Sequence, residues 1–508
     1  MLAASPVATV YDMAMLVRTA TSDAWMQRGE RRAIALFSHA ARYVPAYRGF
    51  LARQGIDPRH VQTREDFEKL PTTSKATYLT EFPLAELCWN GTLARPGVFS
   101  STSGSTGKPF YFQRQANLEE QSSVLAELFL GNAAKPPGLD NPTLVIVGFA
   151  MGVWIGGTIT YQAFDIASRR AYPVSILATG INKREILTAL RDLAPNFTQT
   201  ILIGYPPFIK DVIDEAEGEG IDLRALNIRL MFAAECFTET FRDYLAEKVG
   251  ISNVYRDTLN VYGTADIGTM AFETPTSILI RRLANQDAKL YKRLFHDERK
   301  TPTLAQYNPD YTMFEAPGGE ILVTGDSAVP LIRYRIGDRG GVYTYGELVA
   351  LFSESGIDLE SEARRRDVPI YELPFVYVYE RADLSTTLYG MQIYPEYLRD
   401  VLVSTPLRNY CTGKFQIITT YGESMNQYLD IKIEKKRRVG SIAQSIVKMA
   451  EELMFAALRG SSSEFSELSE QLADRQFIRV NFREHGDPVY FCADAKHKWV
   501  RSGGVSQI

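Results

Sequence analysis

The chain has 508 residues, 45% of them hydrophobic and 23% charged, and a formal net charge of −4. That length exceeds what one hydrophobic core usually serves, so two or more domains are expected. The near balance of 56 basic against 60 acidic residues removes the electrostatic case for nucleic acid as a partner.

The four cysteines, Cys88, Cys236, Cys411 and Cys492, lie far apart, with no CxxC pair and no histidine at zinc-ligand spacing. A disulfide framework and a structural zinc are therefore not expected, and a reducing, cytoplasmic compartment fits. Met1 to Trp25 carries Asp12, Arg18 and Asp23 and lacks a basic start followed by an apolar block, so no secretory signal is expected. Residues 1–95 read as mostly helical, with Arg31–Tyr43 amphipathic and ended by Pro45.

Residues 100–109, Ser-Ser-Thr-Ser-Gly-Ser-Thr-Gly-Lys-Pro, lie between strands read at 97–99 and 110–112. Glycines let a backbone turn its N–H groups toward an anion, and hydroxyls and an ammonium add donors, so the loop suits a polyphosphate. A Walker loop needs four residues between its glycines and Ser or Thr after its lysine. Here only Ser105 and Thr106 separate Gly104 from Gly107, and Pro109 follows Lys108, so that reading fails. Alone, the loop is also open to being a solvated polar hairpin.

Asn141 to Phe164 holds no charged residue and is long enough to cross a bilayer. Its proline, glycines and threonines instead suggest a buried strand, a glycine-rich turn and a buried helix, with no membrane span. From about 140 the pattern alternates: strand 143–147, helix 155–166, strand 171–176, helix 183–194, strand 200–203, helix 206–218, strand 228–233, helix 237–249. Such alternation predicts a mostly parallel sheet covered on both faces. Ligands of such sheets gather at strand C-termini, which singles out Tyr205 and Glu235. Residues 274–302 read as a charged, helical surface insertion, and 347–366 as a second helical insertion. Strands follow at 319–324, 330–334 and 375–379, and a new rhythm of strands and helices begins near 384.

Four further segments can carry chemistry. Ala233-Ala234-Glu235-Cys236-Phe237 ends a strand, where a carboxylate either lines a pocket or favours the next helix's N-terminus. In Asn260-Val261-Tyr262-Gly263-Thr264-Ala265-Asp266, an aromatic can stack on a base, Asn can satisfy an amine and Asp can hold Mg²⁺; alone it reads as a turn. Asp338, in Tyr334-Arg335-Ile336-Gly337-Asp338, can accept from ribose hydroxyls or simply end a strand. Arg381-Ala382-Asp383 stands at the suspected domain junction, where it is also readable as an exposed ion pair.

In order and spacing these segments resemble the AMP-forming adenylate ligases, and within them the phenylacetate–CoA ligase-like branch. Thr102–Pro109 is similar to SSGTTGKP, Asn260–Asp266 to NxYGxSE, and Glu380–Leu402 aligns without a gap to GRxDDxxxxRGxxVFPxxIExxL; Ile332–Asp338 adds a further match. The likeness runs from about Tyr43 to Val500. It implies an α/β fold: a large N-terminal adenylating domain (1–381) with mixed or parallel sheets flanked by helices and a small β-rich subdomain, then a small mobile α+β lid (382–508).

The resemblance further implies that Thr102, Ser103, Gly104, Ser105, Thr106, Gly107 and Lys108 cradle ATP phosphates. Ala234 and Glu235 would line the adenine and acyl pockets. Asn260, Tyr262, Gly263 and Thr264 would meet the nucleotide, Asp266 would hold Mg²⁺ and Asp338 the ribose. Arg381 and Asp383 would form the hinge. Lys496 would be the C-terminal catalytic lysine, with Lys498 the weaker candidate, while Lys108 and Asp266 would also act in catalysis. Phe149, Trp154, Tyr205 and Glu235 would line the acyl pocket, whose aromatic wall suits a flat aryl acid or is plain core packing.

The expected activity is ATP-dependent formation of an acyl-adenylate from a small aromatic carboxylate, with coenzyme A as acceptor and a homodimer as the candidate assembly. Two alternatives stay open: another acceptor, an amine or nitrite, and a nucleotide-binding homologue without turnover. Departures from the motifs are Asp266 for glutamate, Ala265 for Ser or Thr, Cys236 for proline, and Glu380, Leu384 and Tyr389 in the hinge segment.

Overall fold

The computed structural model describes residues 10–101, 110–153, 155–234, 236–296, 301–379, 386–388, 391–404, 406–421, 427–461, 465–466, 469–470, 476–491 and 499–500. The N-terminal region is helical as expected. Its longest helix, Ser22–Tyr43, begins at the N-cap Thr21, whose side chain accepts from the Ala24 N–H. It ends where Pro45 opens the next helix, Pro45–Arg53.

A ribbon of β1 (Val98–Ser101) and β2 (Tyr111–Arg114) precedes the main sheet. The first strands of that sheet are β3 (Thr143–Gly148), β4 (Ser175–Leu177), β5 (Gln199–Gly204), β6 (Ile228–Ala233) and β7 (Thr258–Thr264), all parallel. Then come β8 (Gly268–Phe272), β9 (Thr303–Gln306), β10 (Thr312–Glu315), β11 (Glu320–Gly325), β12 (Leu331–Tyr343) and β13 (Phe375–Tyr379), all antiparallel. The spatial order is β10-β11-β12-β13-β9-β8-β7-β6-β5-β3-β4. The expected strand 171–176 is realised only as Ser175–Leu177, because the preceding helix runs on to Arg170.

Period-two alternation sorts the parallel strands onto two cores. Val145, Val147, Ile201, Ile203 and Met231 face one; Leu144, Ile146, Leu202, Leu230 and Phe232 face the other. Burial on both faces explains why these strands read as unbroken apolar runs. The uncharged stretch 141–164 is thus β3, a turn and the helix Ile155–Arg170. Among the described residues, no helix is long and apolar enough to cross a membrane.

The antiparallel half curls. β8 and β9 share a single pair, Phe272↔Gln306, and the edge strand β10 returns toward β7, where Phe314 stacks on Tyr262 at 6.2 Å. Gln121 ties the two ends by donating to the Thr269 carbonyl and to Thr312 Oγ1.

The first helical insertion is not a surface addition, which corrects the reading from its charge. Pro275–Ala284 is buried almost throughout. Together with Ala288–Phe295, Tyr345–Glu354 and Leu359–Arg365 it encloses a core against Leu304, Phe375 and Tyr377. Two of the charges that suggested solvent, Arg281 and Arg282, are paired with Glu239 instead. Arg281, 2% exposed at its side chain, meets Glu239 and Glu273, and Arg242 meets the same two carboxylates.

Beyond the main sheet, β14 (Thr386–Leu388) pairs with β15 (Met391–Ile393). A second sheet joins β16 (Cys411–Tyr421), β17 (Gln427–Lys435) and β18 (Ile478–Arg483). The helix Gln444–Ser461 packs its buried Ala450, Met454 and Leu458 into the core of this lobe. The lobe meets the helix Pro206–Gly218 through charge: Asp211 pairs with Lys414, and Glu215 with Arg437 at 2.9 Å. The proposed junction at 381–382 falls outside the described residues.

Candidate functional site

The register of the parallel strands lines up one row across the sheet: Gly148↔Gly204, Gly204↔Phe232 and Phe232↔Asn260. Just past this row the chain leaves β3, β5 and β6, while β7 runs on to Thr264, so Phe149, Tyr205, Ala234 and Tyr262 gather at one edge. The glycines in the row follow from close approach. A Cβ on Gly148 would stand 2.9 Å from the Ile203 carbonyl oxygen, and one on Gly204 only 2.8 Å from Ile209 Cδ1.

Phe149 and Tyr205 meet edge to face, with centroids 4.9 Å apart and planes at 67°. Phe149 is buried and Tyr205 half-buried. The following helix passes close over them: a methyl on Gly156 would lie in van der Waals contact, 3.6 Å from Phe149 and 3.8 Å from Tyr205 Oη. The pair therefore forms a flat-sided apolar wall at the strand ends.

Ala234 follows β6 with φ of 76°, a left-handed conformation that costs a non-glycine residue roughly 1–3 kcal/mol. Strain of this kind persists only where neighbours enforce it. Here Thr238 caps the helix Glu239–Val249 from its other side, accepting from the Phe241 N–H.

β7 carries the next group. Asn260 is buried, its Nδ2 donating to Thr303 Oγ1 at 3.4 Å, and its carbonyl accepts from the Glu273 N–H at 2.8 Å. Tyr262 Oη donates to Asp338 Oδ2 at 2.5 Å. Gly263 sits at a register shift against β8, where a Cβ would come within 2.7 Å of the Gly268 carbonyl oxygen, so a side chain is excluded. After Thr264 the chain turns through Ala265, Asp266 and Ile267. Ile267 is buried in the N-terminal core, which fixes the turn and leaves half-buried Asp266 at its crest.

Asp338 owes its place to an irregularity in β12. Between the pairs Leu322↔Arg335 and Glu320↔Arg339 the longer strand carries extra residues, and Gly337, with φ of 89°, takes up the slack. Asp338 then faces inward and is 7% exposed.

The ribbon β1–β2 fixes the mouth of the glycine-rich loop beside this edge. The Ser101 N–H donates to the Val153 carbonyl at 3.0 Å. Arg114, 1% exposed, donates to Ser100 Oγ, Thr158 Oγ1 and Gln162 Oε1 at 3.0–3.2 Å, and burial lowers its pKa. Sequence reasoning missed Arg114; its signal was an arginine on a short strand that otherwise reads Tyr-Phe-Gln.

A second omission is the network behind Asn260. Burial alone would raise the Glu239 carboxyl, but Arg242, Arg281 and Arg282 outweigh it and hold its pKa at about 2. Arg242 also donates to Thr258 Oγ1 at 2.6 Å. The network thereby links the helix after Ala234, β7, the end of β8 and the first insertion helix.

Of the residues expected at the site, Phe149, Tyr205, Ala234, Tyr262, Gly263, Thr264, Asp266 and Asp338 belong to this edge, with Asn260 turned into the protein beneath it. Thr102, Ser103, Gly104, Ser105, Thr106, Gly107, Lys108, Trp154, Glu235, Arg381, Asp383, Lys496 and Lys498 lie outside the described residues. Among the described residues no cluster of three His, Cys, Asp or Glu could form a protein-only metal cage. Mg²⁺ commonly takes one or two carboxylates plus substrate phosphates, and a single exposed-side aspartate such as Asp266 fits that donor set.

No family model matches the chain. It is 26% identical over 338 residues to a phenylacetate–coenzyme A ligase of Pseudomonas putida, covering 64% of this chain and 69% of the relative. A phenylacetate–coenzyme A ligase of Thermus thermophilus is 23% identical over 243 residues, 47% of this chain and 49% of that protein. Among solved structures, 2-hydroxyisobutyryl-CoA ligase in the postadenylation state superposes with a TM-score of 0.65 at 15% identity, covering 96% of this chain and 92% of that one. The GH3.15 acyl acid amido synthetase in complex with 2,4-DB gives 0.59 at 13% identity, over 97% and 94%. With the motifs and the strand-end site, the chain is thus similar in sequence to phenylacetate–coenzyme A ligases and shares its fold with a CoA ligase and an acyl acid amido synthetase.

Proposed function

We propose that this chain activates a small aromatic carboxylate with ATP, as an acyl-adenylate, and passes the acyl group to coenzyme A. A carboxylate is a poor electrophile because its leaving group would be oxide. Attack by a carboxylate oxygen on the α-phosphorus forms the O–P bond of the adenylate and breaks the bond to pyrophosphate, supplying a leaving group for the acceptor.

The observation that carries the reading is the contact of Tyr262 with Asp338 beside the Phe149–Tyr205 pair. It brings an aromatic face, an inward carboxylate and an apolar wall to one strand-end edge, which suits a base, a ribose and an aryl group respectively. In this reading Asp338 accepts from ribose hydroxyls and Tyr262 flanks the adenine. Asn260, buried below, supports that surface. Ala234 and Glu235 border both pockets, with Trp154 extending the acyl wall. Thr102–Lys108 receives the phosphates through backbone N–H groups and hydroxyls. Mg²⁺, held by Asp266 when bound, would neutralise phosphate charge.

Lys108 and Lys496 supply positive charge where negative charge develops in the transition state. Residues 382–508 act as the lid, turning at Arg381 and Asp383 between the two half-reactions. The fold also serves an acyl acid amido synthetase, so the acceptor is read by experiment.

The test is acid-dependent exchange of labelled pyrophosphate into ATP across a panel of aryl and short-chain acids, followed by AMP release with coenzyme A, amines or nitrite. Exchange with an aryl acid, suppressed by Lys496→Ala, is expected. ATP binding with no exchange for any acid would overturn the reading in favour of a non-catalytic homologue.

A further inference from the structure

One residue of the second lobe reaches into the strand-end edge. Arg399, on the helix Glu396–Ser404, is 3% exposed, and its Nη1 donates to the Cys236 carbonyl at 2.5 Å. The guanidinium carbon lies 4.4 Å from the centroid of the Trp499 ring. Trp499 is itself fixed, 2% exposed, tilted against Phe415 at 4.9 Å, and its carbonyl accepts from the Ile417 N–H at 2.8 Å. The next residue repeats the contact: Asp400 Oδ1 accepts from Thr238 Oγ1 at 2.7 Å.

Two consecutive residues of one helix thus hold the two neighbours of Phe237. The turn they hold begins with the strained Ala234. A guanidinium is suited to this double task, since it stacks on an aromatic face while its edge donates in a fixed direction. The motif GRxDDxxxxRGxxVFPxxIExxL, aligned from Glu380, has glutamate at the place of Arg399. A carboxylate could neither donate to a carbonyl nor stack favourably on an indole face, so the contact belongs to this chain's own residue.

We infer that Arg399 is a positioning residue for acid activation: it registers the second lobe, through Trp499, against the Ala234–Thr238 turn that borders the site. Trp499 stands three residues after Lys496 in the sequence, so the same contact sets where the lysine-bearing segment rejoins the lobe. The inference rests on the ligase reading for its kinetic consequence, but the coupling between lobe and turn is physical and separately measurable.

The experiment compares the full-length wild type with Arg399→Met and Arg399→Lys. Methionine keeps the apolar stem and removes the donor; lysine restores a cation that can donate. Deuterium uptake in peptides covering Cys236 to Phe241 is expected to quicken about tenfold in Arg399→Met and to recover only in part in Arg399→Lys, which restores a donor but not the planar stack. Pyrophosphate exchange at saturating ATP is expected to fall about tenfold in Arg399→Met, with affinity for a non-hydrolysable ATP analogue within about twofold of wild type. Unchanged deuterium uptake in Arg399→Met overturns the inference, as does a rate loss matched by an equal loss of affinity. A wild type that shows no exchange with any acid overturns the ligase reading instead, and the deuterium comparison then decides the role of Arg399 by itself.

Discussion

Tyr262 Oη donates to Asp338 Oδ2 across 76 residues of sequence and between strands four places apart in the sheet. A flat sheet would hold those strands roughly 19 Å apart. The contact exists because the antiparallel half bends back at the single-pair junction of β8 and β9.

Removing this donor tests whether the pair serves the nucleotide. Tyr262→Phe retains the ring against Phe314 but leaves the half-saturating ATP concentration for pyrophosphate exchange about tenfold higher, the size of one hydrogen bond to a charged group. An ATP titration of the exchange rate reads it. An unchanged titration would dissociate the pair from nucleotide binding.

Ala234 offers a test of stored strain. Replacement by valine puts a β-branched side chain at φ of 76° and is expected to lower stability by about 1–3 kcal/mol. Glycine at the same place relieves the clash and is expected to leave stability equal or higher. Thermal melts of the two variants against wild type decide it.

Glu239 ties stability to acid pH. Burial opposes its ionisation, but Arg242, Arg281 and Arg282 prevail and bring its pKa to about 2, below the unfolded value near 4.3. The depressed folded value means its contribution is complete above the unfolded pKa and is lost as pH falls through the folded one. Melting temperatures measured from pH 6 down to about 2 are expected to fall more steeply for wild type than for Glu239→Gln. At neutral pH that variant is expected to be destabilised by about 3–5 kcal/mol, since it strips a carboxylate from buried guanidinium groups.

Glu127 has the opposite sign. It lies within the helix Ala116–Gly131, 1% exposed, and its Oε1 has no hydrogen-bond partner among the described residues. Desolvation raises its pKa to about 7, with Arg170 partly opposing the rise. The folded state then holds a proton that the unfolded state has lost, so stability declines as pH climbs from about 4.3 through about 7. Glu127→Gln is expected to be more stable than wild type by about 1–3 kcal/mol at pH 8, with the gain vanishing near pH 5. Urea unfolding at the two pH values measures the difference.

Much of the fold was legible because local physics carried it. The runs Leu144–Val147 and Ile201–Ile203 are apolar on both faces, which only a doubly covered strand requires, and each lies inside an observed strand. The helix before Pro45 and the helix begun by Pro206 follow from backbone restrictions of proline that act within a turn. The burial of Pro275–Ala284 was not legible. Arg281 and Arg282 look solvated until Glu239, more than forty positions earlier, is seen to neutralise them.

The amino-acid sequence alone determined the alternation of strands and helices, the glycine-rich loop, and the spaced motifs that resemble those of adenylate ligases, since each depends on residues close together in the chain. Only the tertiary structure decided that β10 curls back to β7, that Arg281 lies in a core, and that Arg399 grips the turn after Ala234. Those outcomes depend on which distant charges and apolar faces meet. A charge is costly or harmless in a fold according to its partner, and the partner's identity is written nowhere near it along the chain.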